Sequence, residues 1–242
     1  MEIIVCKDYK TLGERAALLF AAQVTEKPTS VFGFATGSSP ISTYDYLAKL
    51  YEEGAVDFSK AVTYNLDEYY GMAPTEEQSY RKFMNDNLFS RINIKLENTH
   101  VLDGLTKDAE KECADYEKAI AAAGGIDMQL LGIGHDGHIG FNEPCDEFPK
   151  DTHLVDLVPM TLKANARFFG GDVNNVPKQA LSMGIGSIMR ARKVVLVANG
   201  ADKANAIAGM VNGPVTPKLP ASILQFHPNV TVFLDEGAAS KL

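Results

Sequence analysis

The chain has 242 residues, 45% of them hydrophobic and 22% charged, enough for one large core and in keeping with an ordinary soluble fold. Its 23 basic and 31 acidic side chains give a net charge of −8 with no basic block, which argues against a nucleic-acid partner and obliges any anionic ligand to find locally placed cations. The longest apolar run, Ala16 to Ala22, is too short to cross a membrane, no charged leader precedes the first strand-like residues, and three cysteines without metal-type spacing fit a reducing cytoplasm.

In chain order, strands are predicted at "EIIV" (2–5), "SVFGFA" (30–35), "AVTYNL" (61–66), "DMQLLGI" (127–133), "KVVLVA" (193–198) and "VTVFLD" (230–235). Asp8 reads as the N-cap of a helix to about Glu26, with Leu12, Ala16, Leu19 and Ala22 recurring near a period of 3.6 and Pro28 beyond its end. Lys107 to Ala123 reads as a second helix, closed by Gly124 and Gly125. A short helical pattern runs near Leu162 to Phe169, inside a segment (145–175) whose prolines and glycines suit a mobile cover. Strands alternating with helices are the signature of βαβ units, so the fold class is α/β: a mostly parallel twisted sheet with helices on both faces. Nothing in the chain suggests a repeat or a linker between two domains, so 1–242 reads as a single domain.

Open sheets of this kind place ligands beyond the carboxyl ends of their strands. That rule selects four loops, beginning "TGSSP", "DEYYG", "GHDGHIGFNEP" and "NGADK". In the first, Gly37 permits a tight turn, Ser39 can cap a helix, and Pro40 suits its first position. Backbone amides there, with the hydroxyls of Thr36, Ser38 and Ser39, would suit a phosphate, although a plain capped helix accounts for the same residues; the P-loop spacing is absent. In the second, Asp67 and Glu68 follow a strand and point to opposite sides, so one of them faces the cleft as a candidate general base, or both form a solvated turn.

The third loop carries Asp136, His138 and Glu143 among glycines. Gly132, Gly134 and Gly137 spell GxGxxG, but the dinucleotide fingerprint must open a helix, and Gly140, Pro144 and Pro149 forbid one here. A metal site would want a further ligand cluster, and none is present. A histidine held by carboxylates in a glycine-rich turn reads instead as a positioned proton shuttle, the equipment for moving protons twice, as in opening a sugar ring and then isomerising it.

"DGHIGFNEP" (136–144), "NLDEYYG" (65–71), "ATGSSP" (35–40) and "ANARFFGGDVNNVPKQALSMGIGSI" (164–188) together resemble the glucosamine-6-phosphate deaminase family, and the resemblance runs from the first strand to the last. It implies a Rossmann-like open sheet and conversion of glucosamine 6-phosphate and water to fructose 6-phosphate and ammonia in amino-sugar catabolism, with no metal or organic cofactor. It gives Asp67 the role of carbon base, His138 that of ring-opening acid/base, and Asp136 and Glu143 that of its orienting carboxylates. Arg167 and Lys203 match the phosphate ligands, beside Thr36, Gly37, Ser38 and Ser39. A lysine opening a helix opposes the helix dipole and calls for an anion, which agrees with that assignment. The implied partner is a small phosphosugar, with neither nucleic acid nor membrane.

Two departures narrow the transfer. Longer members carry "TGGTP" where this chain has "TGSSP", and they extend beyond the last strand, so their allosteric activation and hexamer are not carried over and the oligomeric state is left open. His135 lies outside the family motif. Two rival readings stand beside the deaminase: a related sugar-phosphate lactonase or isomerase, which needs no carbon base, and a non-catalytic sugar-phosphate sensor, which usually follows a DNA-binding module and lacks the full acid/base set.

Overall fold

A computed structural model describes residues 1–242. In chain order the elements are β1 (Glu2–Cys6), α1 (Tyr9–Glu26), β2 (Val31–Phe34), α2 (Ile41–Glu52), β3 (Val62–Asn65), β4 (Asp67–Tyr69), α3 (Tyr80–Asn87), β5 (Thr99–His100) and α4 (Ala109–Ala122). They continue with β6 (Met128–Leu131), β7 (His153–Asp156), α5 (Pro159–Asn165), β8 (Gln179–Ser182), α6 (Ile185–Met189), β9 (Lys193–Ala198), α7 (Ala204–Asn212) and β10 (Val230–Asp235). Seven strands form a parallel sheet in the order β1-β10-β9-β6-β2-β3-β5, and β4, β8 and β7 form a small antiparallel sheet.

All six strands read from the sequence belong to the parallel sheet. Their near-continuous apolar runs have a cause in the packing, because both faces are covered. Along β9, Val195 and Val197 face a core built with Leu12, Ala16 and Phe20 of α1, Leu47 of α2 and Met84 of α3. Val194 and Leu196 face the other core, with Tyr116 and Ile120 of α4, Ile188 of α6 and Ile207 and Met210 of α7. Helix ends follow the capping chemistry: Asp8 Oδ1 accepts from Thr11 N at 2.7 Å, and Asp108 Oδ1 from Lys111 N at 3.0 Å, which starts α4 two residues after the predicted Lys107.

Sheet order fixes where a ligand can sit. The chain fills the sheet from β2 outward through β3 and β5, then returns to lay β6 on the other side of β2 and continues through β9 and β10. The direction of winding therefore reverses between β2 and β6, and the loops leaving those two strands diverge and open a crevice. At the end of β3 the chain turns a corner without a loop: Leu66 N still donates to Phe34 O of the parallel sheet at 3.0 Å, while Asp67 is already paired opposite Ser182 in the antiparallel one.

Candidate active site

The crevice is a cleft of about 570 Å³ lined by all four loops selected from the sequence and roofed by α5 and the short 3-10 turn Ala166–Phe168. The helical pattern read near Leu162 to Phe169 is this roof, starting a little earlier than predicted, at Pro159.

Asp67 occupies the corner between the two sheets and is 6% exposed. The alternative of a solvated acidic turn is thereby corrected, since Glu68 is more deeply buried still, at 1%. The two carboxylates do point apart. Glu68 turns away from the cleft, and its Oε1 accepts from Tyr69 N and Tyr80 N at 2.9 Å while Oε2 accepts from Arg81 N at 3.0 Å, satisfying amides at the start of α3. Asp67 faces the cleft and accepts no hydrogen bond from the protein. Burial, with the Glu68 charge behind it, raises the Asp67 pKa from 3.8 to about 8.

The loop after β6 folds back on itself. Gly134 N donates to His138 O at 2.9 Å and Gly137 N to Gly134 O at 3.1 Å. Gly134 has to lack a side chain because the His138 ring lies against its backbone: a Cβ there would stand 2.3 Å from ring atoms. Gly137 has φ 85° and would drive a Cβ to 2.6 Å from Leu219. The glycine density of the motif thus has a structural cause. Asn142 pins the far side, donating to Ile139 O at 2.7 Å and Met183 O at 2.9 Å.

His138 sits between carboxylates as the sequence suggested. Asp136 Oδ1 lies 2.7 Å from Nδ1, but out of line for a hydrogen bond, so the contact is one of charge against ring; Glu143 Oε2 is 3.5 Å from the same nitrogen. Partial burial pushes the Asp136 carboxyl upward, yet the His138 ring, its charge and its backbone N–H outweigh burial and hold the pKa at about 2. Glu143 goes the other way, raised by burial against the pull of the His138 charge. One oxygen or nitrogen from each of Asp136, His138 and Glu143 falls within 4.8 Å of the others, a set that can accept either a proton or a small cation.

Toward the other end of the cleft, Gly37 takes φ 92°, and the amides of Gly37, Ser38 and Ser39 donate to no acceptor in the chain. One expectation for this loop is corrected. Ser39 does not cap α2; its hydroxyl donates to Asn199 Oδ1 at 2.9 Å, tying the β2 loop to the β9 loop, and α2 begins at Ile41 after Pro40 with no side-chain cap. Thr36 and Ser39 line the cleft, and Ser38 also lines it, with its carbonyl accepting from the Tyr9 hydroxyl. Arg167 reaches in from the roof, its guanidinium 4.6 Å from the Phe168 ring centroid, and Lys203 from the 3-10 turn before α7. Neither cation is ion-paired, in a protein with many exposed ion pairs. Burial, with the Arg167 charge adding to it, lowers the Lys203 pKa even though Asp202 and Asp136 pull upward. Two unpaired cations and three idle amides are the chemistry that holds an anion, set locally in an acidic protein.

All ten residues singled out from the sequence line this cleft or, for Glu143, stand directly behind His138. Sequence reasoning missed Asn199, the first residue of the loop after β9, and Glu68 as the anchor of α3. It also missed Asn165, which donates to the Tyr69 hydroxyl at 2.9 Å and joins roof to floor.

Fold and cleft together define an open-sheet α/β enzyme. Comparison with known proteins narrows the class: the family model described as glucosamine-6-phosphate isomerases/6-phosphogluconolactonase matches residues 9–233, and the chain belongs to that family. It is 57% identical to the glucosamine-6-phosphate deaminase of Lachnoclostridium phytofermentans over 96% of this chain and 98% of that protein. The corresponding deaminase of Clostridioides difficile is 52% identical over 100% of this chain and 97% of its own length. A solved structure described as a monomeric glucosamine-6-phosphate deaminase superposes with a TM-score of 0.97 at 40% identity over the full length of both chains. The fold extends to the 6-phosphogluconolactonase of Trypanosoma cruzi, with a TM-score of 0.78 at 21% identity, covering 100% of this chain and 96% of that one.

Proposed function

We propose that the protein converts glucosamine 6-phosphate and water to fructose 6-phosphate and ammonia. The observation that carries this reading is Asp67, a buried carboxyl with no hydrogen-bond donor on it, facing an anion site and a carboxylate-flanked histidine across one cleft. Lactone hydrolysis requires only an activated water. An aldose-to-ketose shift requires a base that removes a proton from carbon, and a desolvated carboxylate whose pKa is raised to about 8 suits that task. The deaminase names of the similar proteins point the same way.

In this mechanism Arg167, Lys203 and the amides of Gly37, Ser38 and Ser39 hold the phosphate. His138, held against Asp136 and Glu143, transfers the proton that opens the pyranose to the aldehyde. Asp67 then takes the proton from C2, leaving an enol that carries the amine, and returns a proton to C1. The resulting imine at C2 adds water and expels ammonia, leaving the ketose phosphate. Every proton in the sequence comes from His138, Asp67 or water, so no electron acceptor enters.

No helix is long and apolar enough to cross a membrane, and the three cysteines are unpaired, two of them buried. The cytoplasm is the compartment proposed. The test is to treat purified protein with a chelator, supply glucosamine 6-phosphate, and measure ammonia and fructose 6-phosphate together. Equal release of both is the expected result. Release of neither, with a phosphogluconolactone hydrolysed instead, would replace the reading with lactone hydrolysis.

A further inference from the structure

His135 was the one titratable residue of the motif left without a role. It stands at the cleft lip, and its Nε2 is 2.6 Å from Asp202 Oδ2, across 67 residues of sequence. Asp202 immediately precedes Lys203 in the 3-10 turn Ala201–Lys203 and also lines the cleft. The turn is anchored from below, because both Asp235 oxygens accept from Gly200 N at 3.0 Å. A carboxylate thus sits beside the anion site, where it repels a phosphate and competes for the lysine. Lys203 nevertheless makes no ion pair, and the partner that Asp202 does have is His135.

We infer that His135 is a positioning residue that draws the Asp202 carboxylate toward the β6 loop and away from Lys203, keeping that ammonium available for the phosphate of the substrate. The inference rests on the phosphosugar reading above and deepens it. Three features support it. The contact joins the β6 and β9 loops across the mouth of the cleft, so it acts on the relative position of His138 and Lys203, which those loops carry. The charged groups around Lys203 are Asp202, Asp136 and Arg167; Asp136 is engaged by His138, and Asp202 is therefore the carboxylate left free to turn to the lysine unless another partner takes it. Finally, His135 and Asp202 have side chains 46% and 60% exposed, so the pair does not hold the core together, and its consequence falls on the charge at the site.

The experiment uses His135→Gln, Asp202→Asn and the double variant, with two readings on each: KM against kcat for glucosamine 6-phosphate, and the competitive inhibition constant of inorganic phosphate. His135→Gln is expected to weaken phosphate inhibition and raise KM by about threefold, as the loss of one exposed polar contact would, with the effect on kcat smaller. Asp202→Asn is expected to leave phosphate inhibition as tight or tighter, and the double variant to match Asp202→Asn, because His135 has nothing to restrain once the carboxylate is gone. Phosphate inhibition unchanged in His135→Gln overturns the inference. So does an equal weakening by His135→Gln in a protein that already carries Asp202→Asn, which would mean that the imidazole meets the phosphate itself. A fall in kcat with an unaltered phosphate constant overturns it as well. Absence of turnover in the parent protein would sink the phosphosugar reading first, whereas normal turnover with unaltered variants sinks this inference alone.

Discussion

Replacing Asp67 with Asn separates two consequences of burying a carboxyl at the corner between the sheets. Chemically, the base is removed, and turnover should fall by about 100-fold to 10,000-fold while phosphate still binds. Thermodynamically, the protein should gain stability, and the gain should depend on pH. The Asp67 pKa is raised from 3.8 to about 8, so the folded state holds this proton more tightly than the unfolded chain does. The stability contributed by that proton is complete below about pH 4 and is lost as pH rises through 8. At 1.36 kcal/mol per pH unit, the ionised carboxylate destabilises the fold by up to about 6 kcal/mol above pH 8. The proton is shared in effect with Glu68, whose pKa burial also raises, so the observed ionisation belongs to the pair. Asn keeps the shape and removes the charge but buries an amide, so about a third of that figure is a fair expectation. In a chain of this size it raises Tm by about 4 to 8 °C. The assay is thermal unfolding of parent and variant at intervals from pH 4 to pH 9, beside the kcat/KM profile of the parent. The melting curves should converge near pH 4 and separate as pH rises, and kcat/KM should climb through an apparent pKa near 8. A constant difference in Tm, or a variant that still turns over, would refute the account of Asp67 as a desolvated base.

His138→Gln should lose about 100-fold or more on the cyclic sugar and much less on the open-chain form, measured as kcat on substrates trapped in each; equal losses would remove it from ring opening. Arg167→Ala should raise KM by about 10-fold or more through the lost charged hydrogen bonds, and because no carboxylate is left orphaned, its Tm should stay within a few degrees of the parent. Gly134→Ala should fold yet lose about 100-fold in kcat, since the added Cβ would stand 2.3 Å from the His138 ring and must displace it; full activity would show that the ring has another place to go.

The parallel sheet was legible in the sequence because burial on both faces writes itself as unbroken apolar runs such as "KVVLVA" and "VTVFLD". The antiparallel sheet was not. Its strands "DEY", "HLVD" and "QALS" are three or four residues long, and one of them is half-exposed, so neither apolar runs nor clean alternation marks them. That blind spot matters for the site, because this sheet is what buries Asp67. The sequence places Asp67 after a strand and facing a cleft, but the depth of its burial depends on pairing with Ser182, which is 115 residues away and carries no local signal.

The two groups of side chains that meet in the cleft were legible for different reasons. Asp136, His138 and Glu143 lie within eight residues, so a tight turn is enough to bring them together, and the glycines of the motif announce the turn. Arg167 and Lys203 come from the roof and from the far side of β9; the family resemblance distinguished them from surface charges, with the helix start after Lys203 as the one local sign. Ser39 shows the same limit in reverse: the local pattern offered it a helix to cap, and a partner 160 residues away, Asn199, took the hydroxyl instead. A side chain whose partner is distant obeys the topology rather than its neighbours. In this protein the winding reversal between β2 and β6 therefore decides which of the many polar residues become a site, because it sets the ends of β2, β3, β6 and β9 around one crevice.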